Sequence, residues 1–108
     1  LVQVSLDVTD EPGRAGVRPE LAMDLADQIA SAANLELAGV MGVAPRGGDA
    51  RAAFELLARV GAGIADDHNS ATVISAGMSG DFAAAIAAGA THVRLGSALL
   101  GERAGFVR

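Results

Sequence analysis

Along this chain the apolar positions alternate between two spacings, one near two residues and one between three and four. Residues 1–8 (LVQVSLDV) alternate apolar and polar side chains, which predicts a strand with one buried face. The segment TDEPGRAGVRP holds Pro12, Gly13, Gly16 and Pro19 and reads as a loop. Beyond it, Leu21, Leu25, Ile29 and Ala32 or Ala33 recur at helical steps, with Asp24, Asp27 and Gln28 on the other side. That pattern predicts an amphipathic helix with proline in its first turn. Residues 37–43 (LAGVMGV) form a short apolar run, as expected of a strand covered on both faces. After a loop with Pro45, Gly47 and Gly48, Asp49 is placed to cap a helix from Ala50 to about Ala65, with Phe54, Leu57 and Ile64 on its buried face. Residues 71–76 (ATVISA) predict a third strand, and Ser79 or Gly80 opens a helix that stops at Gly89. Residues 91–95 (THVRL) predict a fourth strand, and Ser97 begins a short apolar turn, SALLG.

The order βαβαβαβα predicts an α/β fold with parallel strands joined by helical crossovers. A (β/α)8 barrel takes about 250 residues, so a parallel (βα)4 segment in 108 residues is expected to be half of one. Residues 1–108 carry no linker and no internal repeat, and they read as one unit. A half-barrel leaves two strand edges and its lumen face uncovered, so a partner half, self-association or a compact open sheet is expected.

Composition narrows the chemistry. The net charge is −5 and the aromatics are Phe54, Phe82 and Phe106, which argues against a nucleic-acid partner. No apolar run approaches the roughly 18 residues of a membrane span, and a cytoplasmic location is expected. Cysteine is absent, and His68 and His92 are too few to suggest a metal site. All eight basic residues are arginine. Chemistry that needs a lysine amine therefore has no residue to use here.

Two consecutive loops stand out. The third strand runs through Ser75-Ala76-Gly77-Met78-Ser79-Gly80-Asp81 into a helix, and the fourth ends in Arg94-Leu95-Gly96-Ser97. Glycine lets a backbone approach a ligand, and a helix start presents N–H groups with partial positive charge. Two such turns on adjacent strands suit one phosphate held between them, although Ser79 alone reads equally as a helix cap and Gly96-Ser97 alone as a plain turn. Asp81 is expected to point to solvent. Arg94 either enters the barrel or faces the helices, where a carboxylate partner would be its structural explanation. His92 shares its side of the strand, and Asp7 is a possible acid at the barrel mouth. Arg14 and Arg46 lie on loops that could reach a phosphate, with solvated loop residues as the plainer reading.

The string ISAGMSGDFAAAIAAGATHVRLGSALLGER resembles the end of the YggS/PROSC family of pyridoxal 5′-phosphate homeostasis proteins, which have an alanine-racemase-like barrel. VQVSLD and LAGVMGVAP resemble that family's fifth and sixth strands more loosely. The resemblance implies that Ser79, Gly96 and Ser97 hold the cofactor's phosphate, with Gly77 and Met78 shaping the turn. It implies that Arg94 faces the pyridine nitrogen and keeps it unprotonated. The family's cofactor lysine lies on its first strand, so noncovalent binding of pyridoxal phosphate is expected of these residues. Ser5 stands where the family often has asparagine. Racemases of this fold add a catalytic tyrosine, and this chain has no tyrosine. The reading is thus a cofactor carrier or reservoir without a defined turnover reaction. The alternatives are half of a phosphate-substrate enzyme, an aldolase, isomerase or racemase, and a structural, self-associating fragment.

Overall fold

The computed structural model describes residues 1–7 and 15–103. The predicted end of the first strand at Val8, the loop residue Arg14 and Phe106 lie outside the described residues. Three short parallel strands, β1 (Val2–Gln3), β2 (Gly39–Met41) and β3 (Val73–Ser75), form one sheet in chain order. Val2 pairs with Val40, and Val40 in turn with Ile74. Between and after the strands lie helices α1 (Ala22–Ser31), α2 (Ala50–Asp67), α3 (Phe82–Ala88) and α4 (Ser97–Leu100). This is a small parallel α/β domain, consistent with part of a (β/α) barrel.

The predicted fourth strand does not form. Residues 91–95 run beside β3 but form a single parallel bridge, Ser75 to His92, not a strand. The segment is still tied down, by Thr91 and His92 N–H to the Ile74 carbonyl and by Ala76 N–H to the His92 carbonyl. At Arg94 the N–H instead reaches the Gly77 carbonyl, 2.8 Å away, so the chain follows the turn after β3 and leaves the ladder.

The helices pack on one sheet face. Val2, Val4 and Leu6 are buried with Val40, Phe54, Leu57 and Ile64, whereas Gln3, Ser5 and Asp7, which alternate with them, are only half-buried. At Gly61 of α2 an added Cβ would come within 3.1 Å of Val40 and 3.4 Å of Ile74. A glycine there lets the helix lie close to the sheet. The buried face of α1 is turned from its predicted position: Ala22 and Ala26 are buried, Leu25 and Ile29 half-buried, and Leu21 exposed. Small alanines set the closest approach, and the larger residues close the sides.

Asp49 caps α2 as expected, its carboxylate accepting the Ala52 N–H at 3.1 Å. Asp49→Ala is expected to destabilise the fold by about 1 kcal/mol, seen as a lower urea midpoint with an unchanged slope. No helix among the described residues is long and apolar enough to cross a membrane.

Candidate functional site

The C-terminal ends of β3 and of the segment after it build one open cleft of about 520 Å³. It is lined by Met78, Ser79, Gly80, Arg94, Leu95, Gly96 and Ser97. Five of the six residues singled out in the sequence meet here. The sixth, Gly77, lies behind the cleft and shapes it. Its φ of +98° is in the left-handed region, and a Cβ would sit 2.7 Å from the Ala85 Cβ and 3.0 Å from the Phe82 Cα. Only glycine lets the chain turn this tightly against the start of α3. Gly80 and Leu95, which belong to the same two loops but were not among the six candidate site residues, line the cleft as well.

Ser79 is neither a free ligand nor the cap of its own helix. The helix begins at Phe82, with Asp81 in the cap position. The Ser79 Oγ instead crosses to α4 and accepts the N–H of Ala98 at 2.9 Å and of Gly96 at 3.4 Å. A hydroxyl that accepts two N–H bonds still has its own proton to donate. It thereby relays the donors at the start of α4 toward the cleft, and polarisation by the two N–H groups strengthens that donation.

Asp81 departs from expectation too. Its Oδ1 accepts the Met78 N–H at 2.8 Å, closing the turn from inside, while the Met78 carbonyl accepts the N–H groups of Asp81 and Phe82. The Met78 amide is thus occupied, as are the Gly96 and Ala98 amides, and the Ser79 hydroxyl proton is the donor left beside them. Gly96 leaves open space: nothing lies within 4 Å of where its Cβ would be.

Arg94 is partly buried and has no carboxylate partner among the described residues. Its Nη1 donates to the Ser75 Oγ at 2.7 Å and its Nη2 to the Gly42 carbonyl at 3.2 Å. Both acceptors are neutral, so its charge is held in place without being cancelled. His92 engages the Thr91 hydroxyl at 2.9 Å. His68 bonds Asp27 at 2.8 Å, tying the end of α2 to α1 away from the cleft. Arg46 is exposed on the loop after β2 and is not among the residues lining the cleft. Asp7 and Ser5 line a separate depression of about 170 Å³ with Gln3, Val43 and Pro45.

The donor set suits an anion. Two serines and one arginine line the cleft, and none of its described lining residues is acidic. Its volume lies in the range of small-molecule sites, large enough for a phosphorylated ring compound.

Comparison with known proteins adds to this. The family model for the alanine racemase N-terminal domain matches residues 2–104. The pyridoxal phosphate homeostasis protein of Mycobacterium leprae is 41% identical over 101 residues, covering 93% of this chain and 39% of that protein. Its namesake in Vibrio cholerae is 36% identical over 105 residues, with 94% and 44% covered. Among solved structures, an unknown protein from Bifidobacterium adolescentis superposes with a TM-score of 0.83 at 29% identity, covering 93% of this chain and 42% of that one. PipY of Synechococcus elongatus with pyridoxal phosphate bound gives 0.72 at 28% identity, with 93% and 47% covered. The chain spans less than half the length of these relatives.

Proposed function

Since the chain belongs to the alanine racemase N-terminal domain family, we propose that it is the phosphate-gripping, C-terminal (βα)4 half of a pyridoxal phosphate-binding barrel. The protein it serves is a carrier in pyridoxal phosphate homeostasis, without a turnover reaction of its own. The observation that carries this reading is the Ser79 hydroxyl bridged to the Gly96 and Ala98 N–H groups beside Ser97, with Arg94 on the same cleft. The superpositions support it further, because each covers nearly all of this chain and less than half of the other.

When bound, the cofactor supplies an electrophilic aldehyde and an aromatic ring able to draw electrons. These residues hold it without reacting with it. Ser79 and Ser97 donate to the phosphate, and the Gly96 backbone lets that group approach closely. Gly77 and Met78 set the turn, and Arg94 stands toward the pyridine nitrogen. An arginine is a donor with no acceptor and stays protonated, so it favours a ring nitrogen that keeps its lone pair. That weakens the ring's pull on electrons and suits storage over catalysis. No lysine occurs in the chain, so the contacts it makes are noncovalent. A barrel half carrying the amine, or a second copy, would cover the uncovered sheet face.

Replacing Ser79 and Ser97 together by alanine is the direct test. Affinity for pyridoxal phosphate should fall by about tenfold or more for each hydroxyl that contacts the charged phosphate, with inorganic phosphate no longer competing. Unchanged affinity in a fluorescence titration would place the phosphate elsewhere.

A further inference from the structure

Resting on that reading, we propose that Ser75 is a positioning residue, one that aims the Arg94 guanidinium at the ring end of the ligand while leaving its charge intact. Ser75 is the buried polar residue of the described core, 8% exposed, in a set otherwise made of apolar side chains. A buried hydroxyl is retained where it has a hydrogen-bond partner, and here that partner is Arg94 Nη1 at 2.7 Å. The Ser75 backbone is already committed to the sheet, its carbonyl accepting the Gly42 N–H at 3.2 Å. The side chain is therefore the part with a separate task.

The geometry defines that task. Arg94 is anchored at its own backbone by the Gly77 carbonyl, and its two terminal nitrogens are each held by a different strand end. Two acceptors on two nitrogens fix the plane of a guanidinium, which one acceptor cannot do. Chemistry explains the choice of serine. A carboxylate at this position would hold the arginine as firmly, but it would also neutralise it and leave a buried ion pair beside the cleft. A hydroxyl and a carbonyl orient the group and leave the full positive charge for the ligand. The remaining guanidinium donors, of five in all, are thereby available at the cleft wall that Arg94 lines.

The test is a double-mutant cycle in the intact protein with Ser75→Ala, Arg94→Met and the pair. Two ligands, pyridoxal phosphate and inorganic phosphate, are titrated separately, and the absorbance band of bound pyridoxal phosphate is recorded. Ser75→Ala removes one oxygen from a small side chain. It should weaken pyridoxal phosphate about tenfold, shift its band, and leave inorganic phosphate affinity alone. In the Arg94→Met background it should change neither affinity nor band, because a positioning residue has nothing left to position. A penalty that persists in that background, or that falls equally on both ligands, would make Ser75 merely structural and overturn the proposal. Unaltered pyridoxal phosphate binding in Ser75→Ala overturns it too, while the carrier reading stands. A wild-type protein that binds neither ligand overturns both.

Discussion

Gly39→Ala is expected to lose a large share of the stability of this fold. Gly39 opens β2 with φ +148°, and a Cβ there would lie 1.9 Å from the Val73 carbonyl oxygen and 2.7 Å from the Val73 nitrogen and carbonyl carbon. Those atoms are backbone, not the tip of a flexible side chain, so no rotamer change relieves the overlap. They also belong to the ladder itself: Gly39 pairs with Val73, and the Val73 N–H is bonded to the Ala38 carbonyl at 2.9 Å. Moving β3 away breaks the pairing; keeping it strains a non-glycine residue at positive φ. The strain is worth about 1–3 kcal/mol and the overpacking about as much again. Their sum is a large share of the roughly 5–15 kcal/mol that holds a typical domain. Chemical denaturation followed by circular dichroism would show it as a markedly lower midpoint. A native midpoint would mean that β2 and β3 do not pair in this register.

Substitution of Gly96 is expected to do the reverse, sparing the fold and weakening the ligand. No atom lies within 4 Å of its missing Cβ, which opens onto the cleft between Ser79 and Ser97. Alanine should therefore change stability by no more than about 0.5 kcal/mol, as for an exposed position without special contacts. Its methyl group nevertheless occupies the space through which an anion would reach the Ser79 and Ser97 hydroxyls. Pyridoxal phosphate affinity should drop about tenfold with alanine and about a hundredfold with valine. These are the losses of one and then two hydrogen bonds to a charged group. Calorimetric titration beside a thermal melt separates the two effects. Retained affinity in the valine variant would show that the phosphate does not use this turn.

The contrast between these glycines shows where sequence reading stops. Gly39, Gly77 and Gly96 look alike in the chain, each beside an apolar strand. Gly39 is required by a neighbouring backbone, Gly77 by the first turn of α3, and Gly96 by nothing in the protein itself. Likewise Ser79 reads as a helix cap, and it does cap a helix, but the next one, across 17 to 19 residues of chain. Of the alternatives open for Arg94, the carboxylate partner is not the one found: Ser75 and a carbonyl 52 residues distant hold it.

By itself the sequence determined the order and kind of elements, because periodicity and capping are local: three of four predicted strands, the cap at Asp49 and the helix end at Gly89 all appear in place. It also determined which two loops carry the polar, glycine-rich chemistry. Tertiary structure alone decided the rest. It turned the buried face of α1 onto its alanines, reduced the fourth strand to one bridge, bound Asp81 to Met78, and joined Ser75, Gly42 and Arg94 at one wall. Each of these depends on groups distant in sequence or on a choice among several nearby partners, and hydrogen bonding and close packing make that choice only when the strands are side by side.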